Sequence, residues 1–392
     1  MTRAEEILEE FKGIVERRHE YAKEWKERTN GKVVGFFCTY VPEEIFYAVD
    51  KVLPVRVAPG HSLEGMSVVE PYIYSMFCPL CRDCCAQGFL GNYDYLDGIC
   101  IGQSCIHMRQ AFNAWRLFMK QDRGKEFEFA YYIYVPHGVQ NPPAVPYMAA
   151  EIREFKRNVE KWLGREITDD DVDRGVRLMN RMRRLLSRLY ELRKRDEPPI
   201  TGTEALYVTL AAQYSDKREY VEKLEKLVEL LPGRKLERQV GFRLMTLSSY
   251  NDFIDFIEKV EGLGSTVVVD DQCSGLRYFW GEVDEKNPDR AMAMAERYIL
   301  KRVPCPAKDW PERWRLRHIM QLAKEWRVQG ALYLQYKFCD PHELDVVAVR
   351  DALSEAKIPM YFLELDVTVP WGQFRTRVEA FFEALGGIEE LF

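Results

Sequence analysis

Apolar and polar positions along the chain alternate between strand-length apolar runs and amphipathic helical stretches. Over residues 2–28, Ile7, Phe11, Ile14 and Val15 form a stripe among charges and Thr2 with Glu5 fits a capping box, so a helix is predicted up to Gly31. Val33-Val34-Gly35-Phe36-Phe37 then reads as a strand, Pro42-Glu43-Glu44 as the first turn of a helix reaching about Asp50, and Pro54–Val57 as a second strand. A further unit begins at Pro79 with a helix, continues with a strand over Tyr95–Ile101 and a helix over Met108–Met119, and closes on an apolar run at Tyr131–Val135. The proline-rich segment Asn141–Pro146 marks a loop.

Residues 149–194 read as helical, with Thr168 and the three aspartates after it as a helix start. Leu178, Met182, Leu185, Leu189 and Leu192 share a face, and the arginines between them read as a solvated face. Pro198-Pro199 looks like a hinge. Beyond it strands are predicted at Gly241–Leu247, Ser265–Asp270, Ala331–Tyr336 and Met360–Leu365. Helices are predicted at Tyr250–Glu261, 289–302, 311–328, Leu344–Ala356 and Arg375–Leu385. Such alternation predicts an α/β protein of two doubly wound parallel-sheet domains with additional helices and a site between the domains. The expected division is an N-terminal helix (1–30), a first α/β domain (31–148), a helical segment or linker (149–199) and a second α/β domain (200–392).

Composition narrows the function. With a formal charge of -6, the chain offers no global reason to bind nucleic acid or an anionic membrane. Its first 25 residues are charged throughout and no run reaches a membrane span, so a cytoplasmic protein is expected, where disulfides are disfavoured. There are nonetheless ten cysteines. Buried free cysteine is common, but the positions here are not random. Cys38, Cys105, Cys273 and Cys339 each follow the end of a predicted strand, on the sheet edge where α/β proteins place their sites. Cys78 precedes a helix start, and Cys305 lies in the rigid loop Val303-Pro304-Cys305-Pro306. The run Cys78-Pro79-Leu80-Cys81-Arg82-Asp83-Cys84 imitates the start of a ferredoxin motif, yet Gly88 stands where its fourth cysteine belongs. Cys81, Cys84, Cys85 and Cys100 are therefore expected to be packing residues near the site. One cysteine per loop suits a cluster between domains better than zinc, whose sites usually show paired short spacings.

Several ordered segments carry a resemblance. They are Phe37–Glu44, Phe77-Cys78-Pro79-Leu80, Tyr95-Leu96-Asp97-Gly98, Asp270–Phe279, Lys337–His342, Leu363–Asp366 and Gly372–Arg377. From about residue 30 onward the chain resembles the 2-hydroxyacyl-CoA dehydratase / benzoyl-CoA reductase family, including its double-cubane cluster proteins. The resemblance implies two Rossmann-like domains with an iron–sulfur cluster between them. In the dehydratase branch three cysteines hold a [4Fe-4S] cluster, and by motif these match Cys78, Cys105 and Cys339. In the double-cubane branch six hold an [8Fe-9S] cluster, and the further matches are Cys38, Cys273 and Cys305. The chain departs from the family at Ile106-His107, where an acidic residue is more usual after the cysteine.

The resemblance further implies a dimer, with itself or with a paralogous subunit, and a separate ATP-hydrolysing iron–sulfur activator that supplies low-potential electrons. The chain has neither a Walker A nor a dinucleotide glycine motif, so it is expected to bind no nucleotide itself. The full six-cysteine set favours a benzoyl-CoA-reductase-like or double-cubane reductase acting on an acyl-CoA or other small molecule. The alternatives are a 2-hydroxyacyl-CoA dehydratase subunit, which eliminates water through a ketyl radical, and a non-catalytic electron-transfer subunit. His342 and Glu44 are the candidate catalytic residues, with helix-capping or packing roles as their alternatives. His107, two residues after Cys105, shares the alternatives of His342; His61 and His137 lie in loops that could reach a cleft, and Arg56 is a candidate for meeting CoA phosphates.

Overall fold

The computed structural model describes residues 2–124 and 126–389. Two four-stranded, all-parallel sheets organise the chain. The first contains β1 (Lys32–Phe37), β2 (Val52–Arg56), β3 (Gly98–Gly102) and β4 (Phe129–Ile133) in the order β2-β1-β3-β4. The second contains β5 (Phe242–Ser248), β6 (Ser265–Asp271), β7 (Gly330–Tyr336) and β8 (Met360–Leu365) in the order β6-β5-β7-β8. The two topologies are the same, each with helices packed on the sheet, as in Rossmann-like domains. The central strands are buried along nearly their whole length because helices cover both faces, which is why they read as unbroken apolar runs rather than alternating ones.

The N-terminal stretch is two helices, Arg3–Glu16 and Arg18–Thr29, broken at Arg17. The Thr2–Glu5 capping box forms, with Thr2 N–H donating to Glu5 Oε2 at 2.7 Å. A second box joins Thr168 to Asp171 at the start of the helix Asp169–Leu192. That helix does not present all its arginines to solvent: Arg183 is fully buried, whereas Arg174, Arg177, Arg184 and Arg188 are exposed. Between the two halves stand the helices Gly202–Tyr214 and Lys217–Leu230, against which the N-terminal helix packs. The helix after Cys339 begins at Asp340, one turn earlier than its apolar pattern suggests.

Order reverses between β1 and β3 in the first sheet and between β5 and β7 in the second, and open α/β sheets bind their ligands outside the carboxyl ends of such strands. At the first of these points the loop after β1 crosses over the end of β3. Only glycine allows that crossing: a Cβ on Gly102 would lie 2.5 Å from the Tyr40 carbonyl carbon and 2.8 Å from Val41 N.

A partly buried ion pair fastens the loop after β2 to the second half. His61 Nε2 lies 2.8 Å from Asp252 and its Nδ1 3.0 Å from the Val367 carbonyl oxygen, while Asp83 accepts from the His61 amide. Burial alone would lower the histidine pKa, but Asp252 outweighs it and raises the value to about 9. Because the folded-state pKa exceeds the unfolded one of roughly 6.5, the pair's contribution is complete below that pH and fades as pH rises through 9. A shift of this size is worth on the order of 3 kcal/mol. His61→Gln is expected to lower unfolding stability strongly at pH 6 and little at pH 10 in urea titrations; an equal deficit at both would refute the charge pairing.

Candidate metal centre

The ten cysteines are all free. The structure draws seven of them into two adjoining groups at the carboxyl ends of the sheets. Cys78, Cys81, Cys105 and Cys339 form one, strung together by thiol hydrogen bonds from Cys339 to Cys78 and from Cys81 to Cys78 and Cys105. Cys38, Cys273 and Cys305 form the other, with Cys273 close enough to raise the proton affinity of both Cys38 and Cys305. Cys305 also acts on Cys339, which places the groups side by side. The six cysteines expected from position therefore meet, and Cys81 joins them.

Local backbone explains the placement. Cys78, Cys105 and Cys339 are the N-caps of the helices Pro79–Phe89, Ile106–Gln121 and Asp340–Glu355. Helix N-termini favour thiolate over thiol, and Cys105 Sγ accepts from Met108 N at 3.4 Å. Hydrogen bonds from Cys339 and Cys81 hold the Cys78 pKa well below that of an ordinary thiol, and the Cys81 bond likewise lowers Cys105. The capping position also explains Cys81: N-cap and third-residue side chains face each other across a first turn, as in a capping box. Cys38 sits at φ 64° and Phe338, just before Cys339, at φ 56°. Left-handed backbone is costly for residues with a side chain and is retained where function or packing demands it.

The remaining cysteines are engaged elsewhere. Cys84 donates to the Val57 carbonyl oxygen at 3.7 Å and Cys85 to that of Ala111 at 3.6 Å. Cys100 is buried within β3.

Buried cations surround the Cys38 group. Arg56, Arg277, Arg302 and Lys308 are all buried, and each acts on one or more of its thiols. Among the described residues, only Arg277 of these has a carboxylate partner, Asp271 at 3.2 Å. Arg302 donates to Thr39 and lies over the Tyr40 ring, and Lys308 Nζ donates to the Val135 carbonyl oxygen at 2.9 Å. Burial pulls the Lys308 pKa down to about 8. Burial, followed by the neighbouring Cys273, raises Cys38, and the same two causes push Cys305 to about 12. Ser104 hydrogen-bonds to Cys38, and the Tyr40 hydroxyl accepts from Cys305 N at 3.1 Å.

A cavity of about 510 Å³ opens beside Cys105, lined by His107, His137, Asp309, Trp310, Arg313 and Asp340 among others. His107 bridges two cysteine-capped helices: its Nδ1 accepts from Cys78 N at 3.2 Å and its Nε2 lies 3.5 Å from Asp340. Asp309 accepts from Trp314 N and Arg315 N, and burial raises its pKa to about 6. His342 is buried beside Tyr333, 3.3 Å from its hydroxyl; burial holds its pKa well below the ordinary value, so it is neutral at pH 7. Glu44 is held away from the thiols by Arg183 at 2.6 Å and Tyr298 at 3.0 Å. Arg56 is a strand residue inside the protein, unable to meet a solvent-borne diphosphate. Arg277, Arg302, Lys308 and Asp309 were not visible as site residues in the sequence, and Arg56 was visible only in a different role, since only tertiary packing brings them to the cysteines.

The donor set fits an iron–sulfur group. The thiols are strung out in two sets rather than gathered round one point, and among the described residues no three or more His, Cys, Asp and Glu side chains could hold a single metal ion. Soft sulfur donors at helix N-termini, facing buried cations of which Arg56, Arg302 and Lys308 have no carboxylate partner among the described residues, suit an anionic, thiolate-bound cluster. Among the described residues, no helix is long and apolar enough to cross a membrane.

Comparison with known proteins agrees with the motif resemblance. The family model described as 2-hydroxyglutaryl-CoA dehydratase, D-component, matches residues 38–385. The chain is 26% identical over 388 residues to the (R)-phenyllactyl-CoA dehydratase beta subunit of Clostridium sporogenes, covering 98% of this chain and 100% of that one. It is 24% identical over 345 residues to a benzoyl-CoA reductase subunit of Thauera aromatica, covering 86% of each. It is also 24% identical over 382 residues to the (R)-2-hydroxyglutaryl-CoA dehydratase subunit beta of Acidaminococcus fermentans, covering 97% and 99% respectively.

Proposed function

The chain belongs to the 2-hydroxyglutaryl-CoA dehydratase D-component family, and we propose that within it this protein is the iron–sulfur subunit of an ATP-dependent, low-potential reductase of the benzoyl-CoA reductase or double-cubane type. The observation that carries this reading is the second thiol group, Cys38, Cys273 and Cys305, set beside Cys78, Cys105 and Cys339. Three cysteines would suffice for one cubane with an open corner, whereas six match two cubanes joined through a sulfide. The cluster would supply one-electron transfer at low potential.

The chain's own residues would do the rest. The six cysteines would hold the cluster, and the three long helices would aim their N-terminal dipoles at it. The cavity beside Cys105 would admit an acyl-CoA or another small substrate. Asp309, with its pKa near 6, is better placed there to hold and release a proton than the neutral His342. Electrons would come from a separate ATP-hydrolysing iron–sulfur activator. The relatives are themselves named as subunits of larger enzymes, which supports a multi-subunit assembly, and ten free cysteines suit a reducing cytoplasm. A dehydratase role is the second reading, favoured by the full-length match to a dehydratase beta subunit.

Iron and acid-labile sulfide analysis of anoxically purified protein decides between them. About eight irons per chain are expected for two cubanes, and about four would favour the dehydratase type. Zinc without sulfide would overturn both readings.

A further inference from the structure

Arg56 ends β2 with its guanidinium inside the protein, 4% exposed. It lies between two aromatic rings, 5.8 Å from the Phe36 centroid and 5.3 Å from that of Tyr250. Its Nε and Nη1 are buried without a hydrogen-bond partner, and no carboxylate pairs with it among the described residues. A guanidinium cannot shed its proton to escape this position, and the two ring faces do not replace the water that its N–H groups give up on burial. Of the groups beside it that can carry negative charge, Cys38, Tyr250, Cys273 and Cys84, two belong to the second thiol group. Cys84 is engaged as a donor to the Val57 carbonyl oxygen, and Tyr250 shares its hydroxyl with Tyr214 at 2.7 Å. The Cys38–Cys273 side is what remains.

We propose that Arg56 is the counter-charge and hydrogen-bond donor for the anionic group bound by Cys38 and Cys273. This rests on the iron–sulfur reading above. Arg56 is then a positioning residue: it holds the group in place and eases its reduction, because a nearby fixed positive charge stabilises an added electron. Without the group, the same charge is a burden on the fold, since a buried ion lacking its partner is destabilising and an apolar residue of similar volume is not.

The two states therefore respond to substitution with opposite signs. In the cluster-free full-length chain, Arg56→Met is expected to raise the thermal midpoint by on the order of 2–4 °C. In the loaded protein the same change is expected to shift the reduction midpoint to more negative potential, followed by EPR during a redox titration. It is also expected to speed iron release to a chelator by about tenfold or more, the usual cost of losing an outer partner of a metal site. Arg56→Lys keeps the charge and should recover most of the potential. A purely structural Arg56 would instead make the methionine variant less stable in both states, with the reduction midpoint unmoved, and that result overturns the proposal. Native protein lacking iron and sulfide would overturn the functional reading itself. A native eight-iron centre whose potential ignores Arg56→Met would leave that reading standing and refute this one.

Discussion

Cys339→Ala is expected to strip most of the iron from the protein, whereas Cys85→Ala is expected to leave the native complement. Both side chains are buried thiols, so exposure does not separate them. Their surroundings do. Cys339 follows β7, caps the helix Asp340–Glu355 and hydrogen-bonds to Cys78, which caps a different helix. Removing it takes one thiolate from a set gathered from three parts of the chain. Cys85 gives its proton to the Ala111 carbonyl oxygen within the apolar core, and burial raises its pKa far above the ordinary thiol range, so it stays protonated. Cys81 would be a poor control, although its place in a false ferredoxin motif makes it look like a bystander, because it touches both Cys78 and Cys105. Iron and sulfide assays on anoxically purified variants measure the difference. Equal losses from Cys339→Ala and Cys85→Ala would sink the division of the cysteines into working and packing sets.

Much of this site was legible because parallel strands advertise themselves. β1, β6 and β7 are largely apolar runs that end shortly before a cysteine, at Phe37, Asp271 and Tyr336, and the rule that ligands gather at the carboxyl edge of such sheets places those cysteines together. What the sequence hides is whatever depends on pairing across distance. The helix Gly202–Tyr214 is buried nearly all round, so it shows no stripe for periodicity to detect. Lys217–Leu230, by contrast, carries a plain amphipathic pattern, with Tyr220, Val221, Leu224, Leu227 and Val228 inside. The cations of the site are hidden more deeply. Nothing local tells Arg277 or Arg302 apart from solvated arginines, and Arg56 stood out only as a candidate for phosphates, not as a buried neighbour of thiols. The same limit explains Arg183, whose helix reads as having a charged outer face. Its partner Glu44 lies 139 positions away in the chain, a separation no pattern of spacing reveals.

That pair yields the other large effect. Glu44→Gln is expected to destabilise the protein by about 3–5 kcal/mol, because it leaves Arg183 charged and buried with its main partner gone. Burial works against the ionised form of Glu44, but Arg183 and then Arg297 outweigh it and keep the carboxylate below its ordinary pKa. Tyr298 donates to the second oxygen at 3.0 Å, and Arg183 donates to Asn180 at 3.1 Å, so the pair closes a network that fastens the helix Glu43–Tyr47 beneath the Cys38 loop. The double variant Glu44→Gln with Arg183→Met removes both charges and should recover most of the lost stability, as buried ion pairs replaced by apolar groups commonly do. Denaturant unfolding of the two single variants and the double variant gives the coupling directly. The same set separates structure from catalysis. If Glu44 acts only by holding its loop, activity and cluster content should return in the double variant along with stability. A catalytic Glu44 would leave the restabilised double variant fully loaded with iron and still inactive, which would move this carboxylate from the scaffold into the reaction.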